Sequence, residues 1–128
     1  MSRLMRDFFF KETVMNIQIF GRKKSSATKK AERYFSERRI KFHSVDLDDK
    51  QMSRGELESI LSGLDDKEEL IDKESKLYKS KFAYLKFDLF TELLANQELI
   101  KLPVVRNGKK SAAGDRPEIW SKWIDEDK

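Results

Sequence analysis

Between Asn16 and Leu47 the apolar residues change their spacing twice, and that pattern admits few folds. Asn16 to Phe20 alternates, with Ile17 and Ile19 on one face, and predicts a short strand ended by Gly21 and the basic loop Arg22-Lys23-Lys24. Ala27, Ala31, Tyr34 and Phe35 then recur at helical spacing while Lys29, Lys30 and Arg33 stay on the wet side. Ser25 or Ser26 supplies the N-cap. Ile40 to Leu47, built on Ile40, Phe42, Val45 and Leu47, predicts a second strand. A strand, a helix of about a dozen residues and another strand make a parallel unit with a right-handed crossover.

Helical spacing dominates the next fifty residues. Ser53-Arg54-Gly55-Glu56 is a capping box, followed by Leu57, Ile60, Leu61 and Leu64 at helical intervals. Leu70 and Ile71 mark a short helix, and Leu77 to Leu85 carries a weaker signal. Asp88 caps a further helix with Leu89, Phe90, Leu93 and Leu94 on its inner face. Pro103-Val104-Val105-Arg106 and Lys109 to Ala113 then read as two short strands, joined at Asn107-Gly108 by a type I′ turn, because this dipeptide tolerates positive φ at both positions. Gly114-Asp115-Arg116-Pro117 introduces a final helix whose Ile119, Trp120, Trp123 and Ile124 pack inward. The order is βαβ, a helical insertion over about residues 50–101, a β-hairpin and a helix. That is an α/β arrangement with a mixed four-stranded sheet, the glutaredoxin half of a thioredoxin-like fold.

Composition narrows the class further. The chain has 128 residues, of which 38% are apolar and 11% aromatic, enough for one core in a single domain over residues 15–124. No apolar run approaches the roughly 20 residues of a membrane helix, and Phe8 to Phe10 is too short for a signal-peptide core, so a cytoplasmic protein is expected. With no cysteine there is neither a thiol nucleophile nor a thiolate metal cluster, and the single histidine, His43, leaves no basis for a histidine zinc site. The net charge of +4 is unevenly spread. Residues 15–44 carry nine basic and two acidic side chains, and residues 45–74 carry four basic and eleven acidic. Such blocks either steer an acidic partner or face each other across the fold, and the second is expected. Residues 1–14 have no clear period and are expected to be a disordered or non-native extension. Lys11-Glu12 can be encoded as a ribosome-binding sequence and Thr13-Val14 as a spacer before Met15, which the intact mass from the native host would test. The polar residues 125–128 are expected to fray.

Four segments together resemble the ArsC arsenate reductase and Spx family. They are Asn16 to Gly21 with Lys23 to Phe35 behind it, Val45-Asp46-Leu47, Leu102-Pro103-Val104-Val105 before Asn107-Gly108, and Gly114-Asp115-Arg116-Pro117. The resemblance implies that residues 50–101 form a helical lid. It implies a cis-proline at Pro103 facing the first helix and presenting backbone groups to a peptide or to glutathione. It also places the family's redox cysteines, sometimes a CxxC pair, at Ser25 and Thr28. A hydroxyl has none of sulfur's accessible redox states, so no catalytic residue is expected. Of three family oxyanion arginines only Arg116 remains: the lid position falls on or near Glu74, and Leu102 precedes the proline.

The residues left to bind an anion or a peptide are Lys24, Ser25, Ser26, Lys29, Leu102, Pro103 and Arg116. The function expected is that of a redox-inactive binding or regulatory protein, monomeric, without a cofactor other than a candidate glutathione. By analogy with Spx, which contacts RNA polymerase, its partner is expected in the transcription machinery. The alternative is a glutathione-dependent arsenate or thiol reductase homologue whose catalytic cysteine has become Ser25. Nucleic acid is not expected as a partner, because Tyr34 and Phe35 of the basic block fall on the core face.

Overall fold

A computed structural model describes residues 15–127. The expected extension, residues 1–14, and Lys128 of the polar tail lie outside the described residues. Strand β1 (Ile17–Gly21) leads through helix α1 (Ser26–Glu37) to strand β2 (Phe42–Asp46). The insertion follows: helix α2 (Arg54–Ser62), a 3-10 turn (Lys67–Leu70), a π turn (Tyr78–Phe82), helix α3 (Leu89–Ala95) and a 3-10 turn (Gln97–Leu99). Strands β3 (Val104–Asn107) and β4 (Lys110–Ala113) and helix α4 (Pro117–Asp127) complete the chain. The sheet order is β2-β1-β3-β4, with β1 parallel to β2 and the other neighbours antiparallel. This is the mixed four-stranded sheet expected from the sequence.

The pleat of β1 divides the core into two. Ile17 and Ile19 face α1 and α4, where Ala31, Phe35, Trp120 and Trp123 are buried with Val105 and Ala112. Phe20 points the other way, into a second cluster with Val104, Ala113, Leu57, Ile60, Leu70 and Leu93. Burying side chains of this size stabilises by about 1.5–3 kcal/mol each, and both tryptophans are used here: Trp120 is 1% exposed and Trp123 5%.

The structure departs from the sequence reading at identifiable places. Strand β2 begins at Phe42 rather than Ile40, because α1 ends in a Schellman motif. Arg39 takes φ 59°, its N–H donates to Ser36 C=O at 3.0 Å, and the N–H of Ile40 donates to Phe35 C=O at 3.0 Å. Ile40 is thus the apolar residue after a helix end. The hairpin loop is Gly108-Lys109 rather than Asn107-Gly108: Asn107 pairs with Lys110, and of the loop residues only Gly108 has positive φ, at 63°. That is the type II′ requirement of glycine at the first loop position, not type I′. Ile71 lies outside the short helix and bridges Ile100, with Asp72 N–H on Leu99 C=O at 2.7 Å and Lys101 N–H on Leu70 C=O at 2.8 Å. Helix α4 extends past Ile124 to Asp127, and Lys110 Nζ meets Glu126 Oε1 at 2.7 Å.

Candidate functional site

The loop Arg22-Lys23-Lys24 delivers the chain from the C-terminal end of β1 to the start of α1, and Ser25 stops it there. Its φ of −81° and ψ of 114° are those of an N-cap, and its Oγ accepts the Thr28 N–H at 3.0 Å. The N–H of Ser25 itself donates to Arg22 C=O at 3.0 Å, closing the turn. Thr28, 6% exposed, packs on Gly21 so closely that a Cβ there would lie 2.3 Å from its Cγ2 and Oγ1. A glycine at 21 therefore lets the first turn of α1 approach the strand. The Oγ1 of Thr28 is buried without a partner.

An open cleft of about 440 Å³ lies at this turn. Of the expected site residues it brings together Lys24, Ser25, Ser26 and Leu102. The peptide bond Leu102-Pro103 is cis, as the resemblance implied. Pro103 is buried behind Leu102, its C=O accepting the Gly114 N–H at 2.8 Å. Lys29 faces a neighbouring groove of about 290 Å³ between α1 and β2, which it shares with Lys23, Thr28 and Asp46. Arg116 does not line the cleft. Its Nη1 is held by Glu69 and its Nε by Glu118 at 2.8 Å. The hydrogen bond to Glu118 raises its pKa above the ordinary value, with the Glu69 charge adding to it against partial burial. Glu74, the lid position, is exposed and pairs with Lys79 at 3.2 Å.

Arg22 of the basic loop also lines the cleft, and Asp72, Glu98 and Lys101, which the sequence reading missed, complete it. Lys101 was within reach, since it stands two residues before Pro103; its stem lies against Gly114, with Cε 3.0 Å from where a Cβ would be. Asp72 and Glu98 had no such signal, because irregular segments of the insertion place them. They change the chemistry. Arg22, Lys24 and Lys101 offer cationic partners, yet two carboxylates oppose a multiply charged oxyanion in the same space. Arg22 is further occupied by Asp48 at 3.0 Å, and Lys23 approaches Asp46 at 3.9 Å, so the basic and acidic blocks do face each other here.

Among the described residues none stands as a base to Ser25: its Oγ serves Thr28, and His43 stands opposite Gln18, along the strand from the Gly21 end. The turn presents a helix N-terminus beside Leu102, and it has no sulfur to oxidise. Among the described residues no group of three or more metal-ligating side chains is present. None of their helices is long and apolar enough to cross a membrane.

No family model matches the chain, and no curated protein matches it. Solved structures do. An ArsC-family-related protein from Bacteroides fragilis is 24% identical, with a TM-score of 0.71 over 86% of this chain and 98% of its own. An arsenate reductase from Vibrio cholerae is 20% identical, with a TM-score of 0.70 over 82% of this chain and 94% of its own. An arsenate reductase (ArsC) related protein from Brucella melitensis is 18% identical, with a TM-score of 0.65 over 86% of this chain and 95% of its own. At these identities the likeness establishes the architecture. The chain has the thioredoxin-like fold of ArsC-type structures.

Proposed function

We propose that the chain is a redox-inactive protein of the ArsC and Spx type that acts in the cytoplasm by binding a protein partner, with no turnover of its own. One observation carries the reading. Ser25 stands at the nucleophile position as a helix cap, its oxygen engaged with Thr28 N–H, in a sequence without any cysteine. A thiol reductase needs sulfur that can attack, form a mixed disulfide and be reduced again. What is left is a helix start with free N–H groups, a cis-proline edge and mixed charge, which suits an extended segment better than arsenate. A partner in the transcription machinery remains the expectation by analogy with Spx, and glutathione the candidate small ligand.

The direct test is affinity capture from the native host with the intact protein as bait, followed by reconstitution with the purified candidate. A partner that binds the wild type and loses affinity on Lys24→Glu or Lys101→Glu supports the reading; no partner above background counts against it. Glutathione-dependent arsenate reduction is expected to stay at the level of a protein-free control. Measurable turnover would return the chain to the reductases.

A further inference from the structure

The two edges of the sheet are finished differently. On β4 the outward N–H of Ser111 donates to Gly63 C=O at 3.2 Å, so the end of α2 closes that side. On β2 no described element pairs with the outer side. Which groups lie open there follows from one bond: Leu47 N–H donates to Gly21 C=O at 2.9 Å, in a parallel register that sets Gly21 against Asp46. His43 and Val45 therefore direct their backbone groups to β1, and Phe42, Ser44 and Asp46 direct theirs outward. The C=O of Asp46 is taken by the N–H groups of Asp49 and Lys50, both at 3.0 Å. Among the described residues nothing pairs with the outward donor and acceptor of Phe42 and Ser44, and such an edge is a template for another strand.

Charge says which strand. Arg38, Arg39 and Lys41 precede or open β2, and Asp46, Asp48 and Asp49 close it or follow it. Among the described residues Arg39, Lys41 and Asp49 form no ion pair, whereas Asp48 is held by Arg22 at 3.0 Å. Reversing the strand lays the basic end on the acidic end, and a two-fold axis makes that match twice. An unrelated segment would have to carry the same order of charges by chance. We propose that β2 pairs antiparallel with β2 of a second copy of this chain, continuing the sheet from four strands to eight. The inference runs against the monomer expected from the sequence, and it does not depend on the binding role proposed above.

Sedimentation equilibrium of the full chain over a wide concentration range, with amide exchange followed by NMR, tests it. At low salt the average mass is expected to rise toward the dimer and to fall back at about 1 M salt, where the screening length is about 3 Å. The Phe42 and Ser44 amides are expected to slow with concentration. Ser44→Pro removes a donor that faces away from β1, so the fold is kept while the pairing is lost. Lys41→Glu is expected to weaken association about tenfold, and Lys41→Glu with Asp49→Lys to restore it. A constant monomer mass overturns the proposal. So does protection of the two amides that ignores concentration, which would mean that the edge is filled from within the chain, or unchanged association in Ser44→Pro and Lys41→Glu.

Discussion

The two faces of the sheet are covered by different kinds of structure. On one, α1 and α4, of 12 and 11 residues, run without interruption and deliver aromatic rings: Trp120 lies 5.1 Å from Tyr34 and 5.5 Å from Phe35, centroid to centroid. On the other, two short helices alternate with 3-10 and π turns, and the chain is tied by individual bonds such as those of Gln97 to Met52. A long helix satisfies most of its own backbone and needs only an apolar stripe to stay in place. A broken one exposes many termini and needs specific partners. The irregular face is also the one that brings Asp72, Glu98 and Lys101 to the cleft, so the chemistry of the mouth is set by the less repetitive half.

The comparison is broken most severely at Trp120. Replacing it with Ala empties the centre of the aromatic face, and losses of about 3–5 kcal/mol are typical for such truncations. Denaturant unfolding is expected to show this as a drop in global stability, with every amide losing protection together. A loss confined to α4 would mean that the regular face is not one cooperative unit.

Gln97 is the matching experiment on the other face. It is 3% exposed; its Oε1 accepts Met52 N–H at 2.7 Å and its Nε2 donates to Met52 C=O at 2.9 Å. Gln97→Leu keeps the volume and strands both backbone groups, at about 1–3 kcal/mol for such a loss. Hydrogen exchange is expected to accelerate from Met52 to Leu99 while β1 and β3 keep their protection. Equal acceleration in β1 would show that the insertion does not open by itself.

The same division governs what the sequence showed. Ile17 and Ile19, Phe35, and Trp120 with Trp123 stand at regular intervals, so the strand, the two long helices and their inner faces were legible. So were the capping residues Ser53 and Asp88, because capping is local chemistry. Of the candidate site, Ser25 was legible as a helix cap, which is local chemistry, and Leu102 only through the segment that carries the resemblance; the structure sets both at one cleft. Asp72 and Glu98 were not legible, because a 3-10 turn and an isolated bridge between Ile71 and Ile100 obey no period. Arg116 was read as an anion ligand, and only the tertiary structure shows Glu69 and Glu118 holding it. Ile40 misled for a different reason, the helix end at Arg39 being carried by an arginine where glycine is usual. Arg39→Gly is expected to stabilise the protein by about 1 kcal/mol, as relief of a left-handed side-chain conformation offsets the added freedom of the unfolded chain. Thermal unfolding checks this, and a lower midpoint would mean that the Arg39 side chain contributes more than its backbone loses.

The smallest effect lies where the two faces are joined. Arg116 opens the regular helix α4, yet one of its carboxylate partners, Glu69, comes from the insertion and the other, Glu118, from its own first turn. The hydrogen bond from Arg116 holds the Glu118 carboxyl below its ordinary value, with its own backbone N–H adding to it. A carboxyl depressed on folding favours the folded state fully above its unfolded pKa, and that contribution disappears as the pH falls through the lower, folded value. Side-chain NMR is therefore expected to show Glu118 titrating at a lower pH than an ordinary glutamate. Arg116→Met should return it toward the usual carboxylate range and remove its share of the acid dependence. Because Glu118 is at the surface, salt should erase much of the difference. If Glu118 titrates normally in the wild type, Glu69 alone holds the Arg116 guanidinium at the start of α4.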